Sequence, residues 1–225
     1  VCEEAHCPNI GECWSGKTAP GTATFMLMGD RCSRTSNFCN VTTGGMLPLD
    51  PDEPLNIASA ISELNLDYAV LTSVNRDDLP DQGVSHFAKT IKAIRSLNPN
   101  TLIETLIPDF QSELGLLDKI IAAKPDVIAH NIETVERLQW PIRDRRAGYE
   151  QSLSVLDYIN STSDIYTKSS LMLGLGEYDG EVYQTLSDLR ENGVHFVTLG
   201  QYLQPSSRHL EVFEYVSPLK FETWK

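Results

Sequence analysis

The chain has 225 residues, of which 41% are hydrophobic and 22% are charged, as is typical of a single α/β domain or barrel. Its 18 basic and 31 acidic residues give a formal net charge of −13. This charge argues against a general nucleic-acid-binding or anionic-membrane surface, because both require clustered lysine and arginine. No apolar run in the sequence approaches the roughly 20 residues of a membrane-spanning helix. Because the chain opens at Val1 and stops inside a predicted helix, we expect it to be the middle of a longer protein.

The predicted elements alternate between strand and helix. The strands are short apolar runs bounded by turn residues, at 24–28, 67–72, 101–107, 126–130, 166–173 and 196–199. The helices carry apolar stripes at helical spacing, at 53–65, 86–97, 114–123, 149–159, 181–192 and 218–225.

This alternation predicts parallel strands joined by right-handed crossovers. The strands are nearly continuously apolar, which is typical of a sheet covered on both faces. Six units are too few to close an eight-stranded barrel, and we prefer a partial barrel to a doubly wound sheet. The predicted fold is therefore α/β, a partial (β/α)6 TIM-type barrel with an N-terminal cysteine-rich extension. We divide it into an N-terminal segment at 1–23, a barrel at 24–217 and the start of a further helix at 218–225.

All five cysteines of the chain lie within its first 39 residues, at Cys2, Cys7, Cys13, Cys32 and Cys39. The first three are spaced C-x4-C-x5-C, and the last two flank a polar loop that follows the first strand. Thiols packed this densely favour a thiophilic metal or an iron–sulfur cluster. The alternatives are a disulfide framework and a structural zinc site, although zinc sites favour the closer C-x2-4-C spacing. The odd number and the clustering fit a reducing compartment better than a secreted one.

Several segments together resemble one family, the lipoyl synthases of the radical S-adenosylmethionine (radical SAM) superfamily. The opening segment V-C-E-E-A-H-C-P-N-I-G-E-C-W resembles the family's auxiliary-cluster motif. The likeness continues in order through T-A-T-F-M-L-M-G-D, L-T-S-V-N-R-D-D-L-P-D, A-H-N-I-E-T-V, L-M-L-G-L-G-E and L-G-Q-Y-L-Q-P-S-S-R-H-L. The resemblance therefore covers essentially the whole chain.

The resemblance implies a sulfurtransferase of lipoate biosynthesis, which inserts two sulfur atoms at C6 and C8 of a protein-bound octanoyl-lysine. It implies two [4Fe-4S] clusters and S-adenosyl-L-methionine as cofactors. An unactivated C–H bond offers no handle for acid or base chemistry, so a cofactor must supply the reactive species. The implied partners are an octanoylated lipoyl-carrier domain, of a dehydrogenase E2 subunit or a glycine-cleavage H protein, and an electron donor such as ferredoxin or flavodoxin. The implied location is the bacterial cytoplasm or the mitochondrial matrix.

By the same resemblance, Cys2, Cys7 and Cys13 hold an auxiliary cluster, and the Cys32–Cys39 loop holds the radical SAM cluster. The family reads C-x3-C-x2-C in that loop, and here Ser36 stands at the middle cysteine position. A thiol with a reference pKa of about 8.5 ligates iron as thiolate near neutral pH, whereas a hydroxyl does not. We therefore hypothesise that this chain binds its radical cluster weakly or not at all. The alternative functions are a catalytically impaired relative and a non-catalytic thiolate metal-binding protein.

The remaining candidate residues follow predicted strands, where barrel chemistry gathers. The resemblance assigns these to cofactor binding: Phe38, Thr72, Ser73, Asn131, Glu133, Arg143, Gly174, Gly176 and Glu177. The implied contacts are Thr72 and Ser73 to the methionine amino group, Glu133 to the ribose, Arg143 to the carboxylate, and the two glycines to the adenine.

Each assignment has a structural alternative. The pair Thr72 and Ser73 could cap a strand, Glu133 could lie at a helix N-terminus, and Arg143 could belong to a solvated basic run. A lone G-x-G is weak evidence for a nucleotide site. We interpret Arg76, Asp77 and Asp78 as loop salt bridges, and the histidines, which lack metal spacing, as structural: His6, His86, His130, His195 and His209.

Overall fold

The computed structural model describes residues 21–225, so the predictions for Cys2, Cys7, Cys13 and His6 lie outside the described residues. The strands are β1 (Thr22–Leu27), β2 (Arg31–Cys32), β3 (Thr42–Thr43), β4 (Tyr68–Ser73), β5 (Leu102–Leu106), β6 (Val127–Ala129), β7 (Tyr166–Leu173) and β8 (Phe196–Gln201). The α-helices are α1 (Glu53–Glu63), α2 (Val84–Leu97), α3 (Leu114–Ala123), α4 (Gln139–Ile142), α5 (Tyr149–Thr162), α6 (Asp179–Glu191) and α7 (Pro218–Thr223). Short 3-10 helices span Phe110–Ser112 and Glu136–Leu138.

Six strands form one parallel sheet in the order β1-β4-β5-β6-β7-β8. Each new strand is therefore added on the same side of the previous one. Since right-handed crossovers then place every connecting helix on the same face, the sheet curls into a half-barrel. A doubly wound sheet would reverse its strand order and carry helices on both faces. The predicted partial (β/α)6 barrel is confirmed.

The apolar core lies between the outer face of the sheet and the helices. Its first part packs α1, α2 and α3 on the early strands, with side chains such as Ile61, Phe87 and Leu117 buried against Leu71 and Ile103. A second part packs α5 and α6 on β7. The helical stripes that the sequence predicts are therefore the surfaces that hold the helices on the sheet.

The inner face of the sheet departs from the prediction that both faces are covered. Along β7 the outward-facing residues are buried, whereas the inward-facing ones are partly exposed. Lys168, on the inner face, pairs with the buried carboxylate of Glu104 at 2.8 Å, and Tyr68 donates a hydrogen bond to the same carboxylate. The half-barrel therefore keeps a polar, partly open interior, because only its outer face carries helices.

Local sequence explains several element boundaries. Pro54 lies in the first turn of α1, where the missing N–H costs nothing. The hydroxyl of Ser217 accepts a hydrogen bond from the Lys220 N–H at the start of α7. Among the described residues, no helix is long and apolar enough to span a membrane. The division into three segments stays a prediction, and β1 begins at residue 22 rather than 24.

Candidate functional site

A cavity of about 430 Å³ lies at the carboxyl ends of the strands. It is lined by nine of the residues that the sequence analysis selected: Cys32, Ser36, Phe38, Cys39, Thr72, Ser73, Asn131, Glu133 and Arg143. Residues separated by more than 100 positions therefore meet at one site, as expected for a barrel whose loops converge at this edge.

The loop after β1 is folded so that Cys32 faces this cavity. Cys32 lies in β2, which pairs with β3 across the loop. Its Sγ accepts hydrogen bonds from the Arg34 N–H at 3.4 Å and the Asn75 N–H at 3.3 Å, and from Asn75 Nδ2 at 3.6 Å. Donors of this kind stabilise a thiolate and tune a bound metal. The hydrogen bonds around Cys32 therefore favour the thiolate form, which is the form that binds a metal.

The second cysteine of the loop follows a tight turn. The Cys39 N–H donates to the carbonyl of Ser36 at 3.2 Å, which brings position 36 back beside position 39. Burial raises the pKa of the Cys39 thiol, and the neighbouring charges of Cys32 and Glu133 act in the same direction. The two cysteines thus belong to one electrostatic environment.

Ser36 is the point at which this site departs from a three-cysteine cluster. Its Oγ accepts a hydrogen bond from the Asp144 N–H at 3.1 Å, and it lines the same cavity as the two thiols. Within residues 21–225, no three His, Cys, Asp or Glu side chains come together as a metal site. The cysteine loop therefore offers two thiols and one hydroxyl to the cavity, and these residues do not fit a three-thiolate ligand set.

Two polar groups near the strand ends have the character of ligand-binding groups. The Ser73 Oγ is buried and has no hydrogen-bond partner among the described residues, which is costly unless a ligand supplies one. Glu133 adopts a positive φ of 67°, which is strained for a residue with a side chain. Burial raises the pKa of the Glu133 carboxyl, although the Arg143 charge and an Asn131 hydrogen bond oppose the shift.

Arg143 is buried at the wall of the cavity, which rules out the alternative of a solvated basic run for this residue. Its Nη1 donates hydrogen bonds to Ser152 Oγ, Gln139 Oε1 and the Ile132 carbonyl. A fixed guanidinium in a cavity wall is suited to an anionic group of a ligand.

The glycine-rich loop after β7 lies elsewhere, because Gly174, Gly176 and Glu177 are not among the residues that line the cavity. The Glu177 carboxylate closes this loop by accepting hydrogen bonds from the Gly174 and Leu175 N–H groups. A Cβ on Gly174 would lie 2.3 Å from the Glu214 carbonyl oxygen. Close backbone packing therefore explains Gly174, and a role in adenine binding stays a prediction.

A buried ion network beneath the loop was not identified from the sequence. Arg34 makes a bidentate contact with Asp77, at 2.8 and 2.9 Å, and its Nη1 contacts Asp109 at 2.6 Å. Burial works to raise the pKa values of both carboxyls, and the guanidinium outweighs it, so that both lie below their usual range. Arg146 adds a contact to Asp77 at 3.3 Å. The sequence features that could have predicted this network are Arg34 inside the cysteine loop and an aspartate after each of two strands, Asp77 and Asp109.

Two other predictions concern loop charges and histidines. Arg76 and Asp78 form a salt bridge at 2.8 Å, as predicted. His130 lines the cavity and is completely hydrogen-bonded there, which fits a structural histidine.

Comparison with known proteins places these features in a family. Residues 26–189 match the family model of the radical SAM superfamily. The chain is 71% identical over 225 residues to a lipoyl synthase of Halobacterium salinarum, covering all of this chain and 72% of that protein. It is 55% identical over 228 residues to the mitochondrial lipoyl synthase of Danio rerio, covering all of this chain and 57% of that protein.

Solved structures support the fold independently of sequence. The maturase HydG matches with a TM-score of 0.71 at 15% identity, covering 90% of this chain and 48% of that chain. Methylornithine synthase (PylB) matches with a TM-score of 0.68 at 12% identity, covering 89% and 59%. Identities this low show the fold alone. The family model and the full-length relatives show that the chain belongs to the lipoyl synthase family of the radical SAM superfamily.

Proposed function

We propose that this chain catalyses the sulfur insertion of a lipoyl synthase, at C6 and C8 of an octanoyl-lysine on a carrier domain. The observation that carries the proposal is the convergence of the cysteine loop and the strand-end polar residues on one cavity. That convergence occurs in a chain whose curated relatives are lipoyl synthases along its full length. These relatives do not favour a non-catalytic thiolate metal-binding protein.

Different residues of the cavity bind different groups of S-adenosylmethionine. Cys32 and Cys39 would hold a [4Fe-4S] cluster, which would supply the electron for cleavage of this cofactor. The unpartnered Ser73 hydroxyl, beside Thr72, is placed to accept from the amino group. Glu133 and Asn131 provide acceptors for ribose hydroxyls, and Arg143 provides donors for the carboxylate. Phe38 contributes an apolar wall that excludes water from the reacting groups.

The second cluster, the sulfur donor, is assigned to Cys2, Cys7 and Cys13 on sequence resemblance alone. The roles of Gly174, Gly176 and Glu177 in adenine binding are also proposals. So are the octanoylated carrier domain, the ferredoxin or flavodoxin electron donor, and the reducing compartment.

Ser36 determines how well the radical cluster is held. We propose that a hydroxyl in the third position gives weaker cluster binding than a third thiolate, because a hydroxyl resists deprotonation at neutral pH. The hydrogen bond that Ser36 Oγ accepts from the Asp144 N–H would stabilise an oxygen ligand. It would not make that oxygen equivalent to a thiolate.

The proposed function is tested by reconstituting the protein with iron and sulfide without oxygen. Reconstituted protein, S-adenosylmethionine, dithionite and an octanoylated H protein should give 5′-deoxyadenosine and a lipoylated product detected by mass spectrometry. Because Ser36 weakens the cluster, the Ser36→Cys variant is run in parallel and should give the larger yield. Absence of both products from both proteins would contradict the proposal.

A further inference from the structure

The Arg143 side chain is held from one side only. Within residues 21–225 its side-chain hydrogen bonds all leave from Nη1, to Ser152 Oγ at 2.9 Å, Gln139 Oε1 at 2.9 Å and the Ile132 carbonyl at 3.3 Å. The donors that remain are Nε and Nη2, which lie on the opposite edge of the guanidinium. These two donors form the planar fork that matches a carboxylate. The carboxylate-binding edge of Arg143, a residue that lines the cavity, therefore has no hydrogen-bond partner among the described residues.

One of the anchors, Gln139, is itself fixed in orientation. Its Nε2 donates to the carbonyls of Ile132 and Thr134, and both are obligate acceptors. The amide therefore cannot flip, and its Oε1 must face Arg143.

The other anchor, Ser152, is fixed by His130 behind it. His130 Nδ1 lies 2.9 Å from the Ile107 carbonyl oxygen, and its Nε2 lies 2.9 Å from Ser152 Oγ. A carbonyl can only accept, so Nδ1 carries the hydrogen. Burial and the nearby Arg143 charge lower the pKa of His130 to about 4, so the ring is neutral at pH 7 and Nε2 has a free lone pair.

The hydrogens between Ile107, His130 and Ser152 are therefore assigned, and the two hydrogens of Arg143 Nη1 are shared among its three acceptors. The Ser152 hydroxyl must donate to His130 Nε2, because that nitrogen has no hydrogen of its own. The lone pairs of the Ser152 oxygen then face Arg143 Nη1, which has only donors. His130, Ser152 and Arg143 are all nine-tenths or more buried, so water does not compete for these positions.

We propose that Ser152 and His130 are positioning residues for Arg143, which hold its free edge ready for the carboxylate of the cofactor's methionyl group. This inference rests on the proposed function. Ser152 is not among the residues that line the cavity, and both ring nitrogens of the cavity-lining His130 already have protein partners, so each acts through the guanidinium. Ser152 lies in α5, and His130 directly follows β6. Two separate elements must therefore be packed correctly before Arg143 is oriented.

The test compares two ligands that differ at the methionyl end. S-adenosylhomocysteine has the amino and carboxylate groups, and 5′-methylthioadenosine lacks both. Dissociation constants are measured by titration calorimetry on anaerobically reconstituted protein. The Ser152→Ala variant should bind S-adenosylhomocysteine about tenfold more weakly, as expected for one hydrogen bond to a charged group. Its affinity for 5′-methylthioadenosine should change by less than about twofold.

Two further variants sharpen the result. Ser154→Ala is the matched control, because Ser154 lies on the same helix, is exposed and bonds only to the Gln151 carbonyl within the described residues; it should bind both ligands like the wild type. His130→Phe should weaken S-adenosylhomocysteine binding, and the double variant with Ser152→Ala should be no weaker than Ser152→Ala alone. Such non-additivity is the mark of residues that act through one contact. Thermal unfolding of each variant verifies that it is folded.

The outcomes separate this inference from the proposed function. Selective loss for the carboxylate-bearing ligand in Ser152→Ala supports it. Equal weakening of both ligands would reveal a merely structural role and overturn it, and so would unchanged binding of both. If the wild type binds neither ligand, the same variants are compared in the Ser36→Cys background. If Ser36→Cys also binds neither ligand, the proposed function has failed before positioning is at issue.

Discussion

At the scale of single residues, Ser36 is the point at which the cysteine loop departs from a three-thiolate ligand set. Cys32 and Cys39 face the cavity together, and Ser36 takes the place between them. The Asn75 N–H donates to Cys32 Sγ, and a tight turn brings Ser36 beside Cys39. We therefore propose that the side chain at position 36, and not the fold of the loop, limits cluster binding.

The Ser36→Cys variant should retain more iron and sulfide than the wild type after anaerobic reconstitution and desalting, because a third thiolate completes the ligand set. Iron and sulfide analysis and the broad absorption near 400 nm measure this. Ser154→Cys, which adds a thiol on an exposed helix position, is the control for adventitious iron. Equal iron in the wild type and Ser36→Cys would show that Ser36 does not limit the cluster.

Arg34 is the residue on which the loop's stability depends. Arg34→Met should lower the free energy of unfolding by about 3 kcal/mol, because it leaves the buried Asp109 carboxylate without its partner. Arg95→Met is the matched control, since its pair with Asp126 is about one-third exposed and should contribute less than about 1 kcal/mol. Urea unfolding followed by circular dichroism measures both. A loss for Arg34→Met no larger than that for Arg95→Met would contradict this assignment.

The Arg34 effect should shrink in acid. In the wild type the pKa values of Asp77 and Asp109 are lowered, so their stabilising contribution is present above about pH 4 and is lost as the pH falls through the folded values. In Arg34→Met, burial raises the pKa of Asp109 with no guanidinium to oppose it. Protonation of this carboxyl in acid therefore removes the free-energy cost of burying it without a partner. The stability gap between the two proteins should therefore narrow from pH 7 to pH 3.5. A constant gap would exclude these carboxyls as its cause.

At the scale of elements, the loop after β7 shows a backbone requirement that the sequence alone could not distinguish from a nucleotide motif. Gly174 has a φ of 95° and faces the Glu214 carbonyl oxygen. Gly174→Ala should therefore lose about 2–3 kcal/mol of stability through strain and collision.

The control for this substitution is Gly180→Ala. Gly180 lies in α6, has no atom within 4 Å of an added Cβ, and should be neutral or gain up to about 1 kcal/mol. Chemical denaturation measures both variants. A stable Gly174→Ala protein would show that the 213–216 segment moves aside.

How far the sequence could predict this molecule depends on the range of the interactions. The strand at Tyr166–Leu173 and the helix at Leu114–Ala123 match their predictions, because their patterns are local and their ends carry turn residues. The pair β2 and β3 was not predicted, since Arg31–Cys32 and Thr42–Thr43 are polar and become strands only by pairing across the loop.

The candidate site divides in the same way. Ser73, Glu133 and Arg143 could be selected because they follow strands or a recognisable motif. The residues that support Arg143 could not be selected from the sequence, because Ile107, His130 and Ser152 are far apart in the chain. They meet only after the half-barrel has formed. Ser152 gives no signal in the sequence, where it is one serine on a helix.

At the scale of the whole molecule, sequential strand order explains both the core and the site. All the crossover helices pack on the outer face, so the inner face keeps polar groups such as the Glu104–Lys168 pair. The strands' carboxyl ends then converge on one cavity that the cysteine loop covers. The fold therefore provides a cavity in which the protein can surround a reactive cofactor. Only a few side chains in the cavity wall are available to contact it.

Sulfur insertion by this chain is tested by the mass of an octanoylated H protein after incubation with anaerobically reconstituted Ser36→Cys protein, S-adenosylmethionine and dithionite. We expect a product that carries two sulfur atoms in place of two hydrogens, in higher yield than the wild type gives. Full iron–sulfur loading of Ser36→Cys with an unchanged octanoyl group would contradict it.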